Sequence, residues 1–234
     1  MIKAIFFDAA GILYSRSGPT EAFALKLLHN NGFATELSPE LTKKQLSLRS
    51  QANQGALSHE IYWDQFLLMR GVVDPQQRKD YALQIVNYSN DVQPVPGAKE
   101  ALAELKRRGF TLGIITDTMY PIQWKMRRLE KAGVAQFIEI VACSTDLGAQ
   151  KPDPAVYSYA LEQAHLKSGE SIFVGHLGVE LQGARKAGMF AVAINHEPDP
   201  DADYSCSSLN DMLTLPILLS ARDEAKKSIC VSCK

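Results

Sequence analysis

Several stretches of the chain place a reactive or charged side chain just beyond an apolar run. Asp8 follows Ile-Lys-Ala-Ile-Phe-Phe at 2–7, and Thr116 with Asp117 follows the run 111–115. Lys151 stands in Lys-Pro-Asp-Pro beyond the run 137–143, and the run 171–174 opens into a loop, 175–180, that carries His176 and Glu180. A carboxylate, a hydroxyl, an ammonium and a loop with His and Glu at neighbouring strand ends could converge on one ligand. A single Asp after a strand is commonly a turn or cap residue, but four polar strand ends in chain order favour chemistry.

These residues need a scaffold that brings strand ends together. The runs at 2–7, 111–115, 137–143, 171–174 and 190–194 are short and apolar, as buried parallel strands are. Helical patterns lie between them: 97–108 stops at Gly109, a second opens at Pro121 and stops near Gly133, and a third opens at Pro154. This alternation predicts an α/β fold with a doubly wound parallel sheet, in which ligands bind outside the carboxyl ends of the strands. Residues 16–90 read differently. A helix over 20–31 closes at Gly32, and Ser38-Pro39, Ser58 and Asp74-Pro75 start three more. The helix after Ser58 carries Ile61, Tyr62, Trp63, Phe66, Leu67 and Met69, an apolar stripe too wide to leave in water. The expected organisation is a core of 1–15 and 91–220, an inserted helical module over 16–90, and a C-terminal tail over 221–234. Gln93-Pro94-Val95-Pro96-Gly97 reads as a stiff return linker.

Composition narrows the function. The chain has 234 residues, 46% apolar and 22% charged, with 25 basic and 26 acidic side chains for a net charge of −1. That suits one or two globular domains and offers no broad basic face for nucleic acid. No apolar stretch approaches the ~18 residues of a membrane-spanning helix, and the N-terminal apolar run is shorter than the ~7–15 residues of a signal peptide. Four cysteines are too few for a disulfide scaffold. Cys143 is expected as a buried thiol, and Cys230 with Cys233 as part of a solvated tail, since one pair does not complete a zinc site. A reducing cytoplasm is the expected compartment.

Taken together, the motifs resemble those of the haloacid dehalogenase superfamily, in the members whose cap is a helical insertion after the first strand. Phe6-Phe7-Asp8-Ala9-Ala10-Gly11-Ile12-Leu13 is similar to the nucleophile motif, and Ile114-Ile115-Thr116-Asp117 to the second motif. Lys151-Pro152-Asp153-Pro154 resembles the third motif, and the segment from Phe173 through Met189 the fourth. The resemblance covers residues 2 to about 219. It implies a Rossmann-like core with a cap over 16–90, a covalent intermediate on Asp8, a substrate contact from Thr116, and a charge-neutralising Lys151. Ala10 and Asp117 would border the substrate, and Arg49 on the cap is the expected anion contact.

Two departures from the family pattern bear on mechanism. Its phosphatases carry an acidic residue two positions after the nucleophile, where this chain has Ala10; such acid–base help is worth ~10²–10⁴ in rate. They also place aspartates in the fourth motif to hold Mg²⁺, where this chain has His176 and Glu180. Either Asp8, the Ala10 carbonyl and Glu180 form a reduced Mg²⁺ site, or His176 takes the place of the cation beside Asp8 and supplies the base that Ala10 lacks. Three functions follow from the resemblance. The first is a hydrolase of a small anionic metabolite, with phosphate esters favoured. The second is a metal-independent, dehalogenase-like displacement of a good leaving group, and the third is a catalytically silent binding protein. A Schiff-base route, as in a relative with alanine at the Ala10 position, would need Lys43 or Lys44.

Overall fold

The computed structural model describes residues 1–195 and 201–219. Strand β1 (Ala4–Phe7) leads into a short strand β2 (Tyr14–Ser15) and then four helices, α1 (Thr20–Asn30), α2 (Pro39–Asn53), α3 (His59–Leu68) and α4 (Pro75–Asn90). A return strand β3 (Gln93–Pro94) is followed by α5 (Ala98–Arg107), β4 (Thr111–Thr116), α6 (Ile122–Lys131), β5 (Ile140–Cys143), a single turn α7 (Ser144–Leu147) and α8 (Pro154–Ala164). The chain continues through β6 (Ser171–Gly175), α9 (Gly178–Lys186), β7 (Phe190–Ile194), β8 (Tyr204–Cys206) and α10 (Leu209–Met212).

Six strands form one parallel sheet in the order β5-β4-β1-β6-β7-β8. β1 sits centrally, with Ala4 in register with Thr111 on one side and Ser171 on the other. Its four residues are all buried because both faces are covered. Ile5 and Phe7 face one core with Leu112, Ile114, Ile172 and Val174, under α5, α6 and α10. Ala4 and Phe6 face the other with Ile115, Phe173 and Ala191, under α8 and α9. The strand order reverses on either side of β1, so the crevice of a doubly wound sheet opens at its carboxyl end.

The helical segment is built from its caps. Ser38, Ser58 and Asp74 accept from the backbone N–H groups of Leu41, Ile61 and Gln76, and Pro39 and Pro75 occupy first-turn positions that need no N–H. Leu28, Tyr62, Trp63, Phe66, Tyr81 and Ile85 bury against one another. Ile61, expected in that stripe, is instead half exposed; at 100° per residue it lies on the side of α3 away from Trp63 and Phe66. The end of α2 also meets the turn α7 that follows β5. Gly55, at φ +73°, lets the end of α2 come so close to α7 that a Cβ would meet the Thr145 carbonyl oxygen at 2.5 Å.

Three expectations change in detail. The return segment is more than a linker, because Gln93 and Pro94 pair antiparallel with Ser15 and Tyr14 and tie the entry and exit of the helical segment into a ribbon. The apolar run 137–143 is divided, with a 3₁₀ turn at Ala135–Phe137 and a strand only from Ile140. Between them Glu139 accepts from the N–H of Leu112 and from Lys106. The edge strand β8 was not expected, since Tyr-Ser-Cys is too short for a periodic signal. The tail 221–234, with Cys230 and Cys233, lies outside the described residues. No described helix is long and apolar enough to cross a membrane.

Candidate active site

Asp8 extends β1 at its carboxyl end, where its N–H donates to the Val174 carbonyl on β6. Lys151 arrives from the loop before α8. Its Nζ donates to Asp8 Oδ1 at 2.8 Å and to Glu180 Oε2 at 2.8 Å, and its side chain is 1% exposed. Glu180 lies in the first turn of α9, and its carbonyl accepts from Tyr157 Oη at 2.8 Å. One ammonium is therefore clamped between two carboxylates, an arrangement that stabilises a buried cation only when both partners stay in place. Burial works to raise the pKa of Asp8, but Lys151, Lys125 and His176 outweigh it and hold the carboxyl below its ordinary range. Burial also opposes the charge on Lys151, yet Asp8, Glu180 and Asp117 push its pKa up. Glu180 goes the other way: burial, and then the nearby Asp8 and Asp117 carboxylates, push it up to about 7 against the pull of Lys151.

His176 comes from the loop between β6 and α9. Its Nδ1 stands 3.8 Å from Asp8 Oδ2 and, though buried, has no hydrogen-bond partner. The ring can lie there because residue 11 is glycine at φ +82°; a Cβ would meet His176 Cε1 at 3.1 Å. Asp8 Oδ2 accepts no hydrogen bond among the described residues, so one carboxylate oxygen is held and the other is open to the cavity.

Asp117 spends one oxygen on the backbone N–H of Lys151 at 3.1 Å, which fixes the lysine's loop, and burial raises its pKa. Thr116 is buried with an unpartnered hydroxyl but does not line the cavity. Arg49 lines the cavity and pairs with Glu21 at 3.1 Å, and Ala10 lines it as well. Lys43 and Lys44 are exposed and away from the cavity, so they cannot serve a Schiff base there.

The cavity holds about 690 Å³ and runs from Asp8 to the helical segment, where Trp63 Nε1 donates to Tyr120 Oη at 3.1 Å. Tyr14, Lys125 and Arg128 also line it, and no motif or spacing singles them out. Lys125 and Arg128 sit in a charge-rich helical pattern that reads as a solvated face. Tyr14 has no motif neighbour that would set it apart. Burial works to raise the Tyr14 phenol's pKa, but Lys125 and Arg128 overcome it and hold it below its ordinary value.

A hard cation such as Mg²⁺ needs several oxygen ligands in octahedral geometry. The donor set fits it poorly: Lys151 already takes one oxygen of Asp8 and one of Glu180, Ala10 can offer only a carbonyl, and the His176 imidazole rather than a third carboxylate stands beside Asp8 Oδ2. No group of three or more His, Cys, Asp or Glu side chains among the described residues is placed to hold a metal.

A family model described as haloacid dehalogenase-like hydrolase matches residues 5–194. The chain belongs to this family. The hydrolase is 29% identical over 217 residues to the glyceraldehyde 3-phosphate phosphatase of Methanopyrus kandleri, covering 87% of this chain and 91% of the relative. Among solved structures it is similar to the 2-haloacid dehalogenase of Pseudomonas syringae pv. Tomato DC3000, with a TM-score of 0.67 and 26% identity, over 94% of this chain and 99% of that one. The HAD phosphatase of Thermococcus onnurineus shares the fold at a TM-score of 0.63 and 23% identity, over 91% of this chain and 96% of that one.

Proposed function

We propose that this hydrolase is a phosphatase of small phosphorylated metabolites that transfers the phosphoryl group to Asp8 and then to water. The observation that carries the reading is the Asp8 carboxylate, with Oδ1 held by Lys151 at 2.8 Å and Oδ2 open to a cavity sized for a small metabolite. The similarity to an archaeal glyceraldehyde 3-phosphate phosphatase favours a phosphate ester of about that size as substrate. Asp8 Oδ2 attacks phosphorus and the ester P–O bond breaks. Water then attacks the aspartyl phosphate and inorganic phosphate leaves. Lys151 offsets the negative charge of the substrate and of the transition state. Thr116, where the family resemblance expects a substrate contact, brings an unpaired hydroxyl near the strand ends.

His176 takes over the proton transfers that Ala10 cannot perform. Its ring lies against Gly11, next to residue 10, with an unpartnered nitrogen 3.8 Å from the attacking oxygen. It gives a proton to the departing alkoxide and takes one from water. Glu180 and Asp117 hold Lys151 in place, and Arg49 steadies the substrate from the helical side. The segment 16–90 acts as a cap over the core formed by 1–15 and 91–220, excluding water when it closes. The free thiols of Cys143 and Cys206 suit a reducing cytoplasm, where we place the reaction.

A second reading, metal-independent displacement of halide, is favoured by one observation: an ammonium lies between the two carboxylates that would otherwise bind a metal. A panel of phosphate monoesters and 2-chloropropionate, assayed with wild-type and Asp8→Asn protein, separates the two. Phosphate release that disappears in Asp8→Asn supports the phosphatase. Chloride release without phosphate release supports the second reading.

A further inference from the structure

Lys125 and Arg128 stand three positions apart on α6, hence on one helix face, and both are buried, at 3% and 4% exposure. Neither forms a salt bridge among the described residues, whereas the equally buried Lys151 forms two. Their hydrogen bonds go to neutral oxygens. Lys125 Nζ donates to the Asp117 carbonyl at 3.3 Å; Arg128 donates to Asn90 Oδ1 from Nε at 3.1 Å and from Nη2 at 2.9 Å, and from Nη2 to Ser89 Oγ at 3.2 Å. An ammonium carries three N–H donors and a guanidinium five, so both cations keep donors beyond these bonds.

Burying a cation without a counter-charge is strongly unfavourable, and two neighbouring cations also repel each other. None of the carboxylates lining the cavity forms an ion pair with either cation: Glu180 and Asp8 Oδ1 bind the Lys151 ammonium, Asp117 the Lys151 N–H, and Glu21 pairs with Arg49, so Asp8 acts on Lys125 only at longer range. Beside the two cations lies Tyr14. Its ring centre is 5.7 Å from Lys125 Nζ, and its buried hydroxyl has no partner. All three residues face the cavity that Asp8 borders.

We infer that Lys125, Arg128 and Tyr14 form a second anion subsite, which binds an acidic group at the end of the substrate away from the scissile bond. That group is a carboxylate or a second phosphate. It supplies the missing counter-charge, and Tyr14 adds a neutral donor. The inference rests on the phosphatase reading for the scissile end of the substrate only.

Calorimetric binding to the Asp8→Asn protein tests it without requiring turnover. 3-Phosphoglycerate, fructose 1,6-bisphosphate and glycerol 3-phosphate compare a carboxylate, a second phosphate and a neutral end. At least one of the two doubly acidic compounds should bind ten-fold or more tightly than glycerol 3-phosphate, and which one does identifies the acidic group. Adding Lys125→Met or Arg128→Met should remove that preference, and Lys125→Arg should retain it, which separates lost charge from lost fold. Equal affinity for all three compounds, or an undiminished preference in Lys125→Met, overturns the subsite. If the Asp8→Asn protein shows the preference but the wild type hydrolyses no phosphate ester, the phosphatase reading fails and the subsite stands.

Discussion

The imidazole of His176 rests on the backbone of Gly11, and no residue with a Cβ fits there without moving the ring, because the contact would be 3.1 Å at a φ of +82°. This packing sets the unpartnered Nδ1 beside Asp8 Oδ2. Gly11→Ala should therefore cost about 1–2 kcal/mol from the left-handed backbone alone and should also displace the ring. His176→Ala should lower kcat on alkyl phosphates by ~10²–10⁴ and have far less effect on p-nitrophenyl phosphate, whose leaving group needs no proton. An equal loss on both esters would show that His176 does not handle the proton.

Lys151→Met should destabilise the protein by about 3–5 kcal/mol, because it leaves two buried carboxylates without their cation. Thermal unfolding reads the loss directly. Adding Glu180→Gln to Lys151→Met should recover part of it, since one of the two facing charges is then gone.

Glu180 and Asp8 give opposite pH dependences of stability. The folded pKa of Glu180 is pushed up to about 7, above its ordinary 4.5. Its contribution is full below about 4.5 and is lost as pH rises through about 7. Asp8 is held below its ordinary 3.8, so its contribution is present above that value and is lost as pH falls below it. Denaturant midpoints measured from pH 4.5 to pH 8 should decline for the wild type, and Glu180→Gln should flatten that decline.

Activity should survive EDTA and should not rise with added Mg²⁺, because Lys151 takes one oxygen of each carboxylate and His176, not a third carboxylate, faces Asp8 Oδ2. Steady-state assays in each condition check this, and strict dependence on Mg²⁺ would mean that the free oxygens of Asp8 and Glu180 hold the cation in the working enzyme.

The sequence made the sheet and the four strand-end residues legible, because buried parallel strands announce themselves as apolar runs and the crevice position follows from topology. It predicts Asp8, Thr116, Lys151 and the loop carrying His176 and Glu180 in one site; the structure brings Asp8, Lys151, His176 and Glu180 together and leaves Thr116 off the cavity. What it could not show depends on side-chain direction. Lys125 and Arg128 look like a solvated helix face until α6 is seen to turn them inward. Ile61 looks like core until the rotation of α3 carries it out, and β2 and β3 are too short to leave a periodic pattern. Whether His176 or a metal would stand beside Asp8 was equally closed to pattern reading, because it turns on the ring's contact with Gly11.

Every step proposed for this hydrolase passes through a covalent bond to Asp8. Wild-type protein mixed with substrate, quenched in acid within milliseconds and digested for mass spectrometry, should show a phosphoryl group on the peptide containing Asp8, and the adduct should vanish in Asp8→Asn. Steady turnover with no adduct at any quench time, or undiminished turnover in Asp8→Asn, would contradict it.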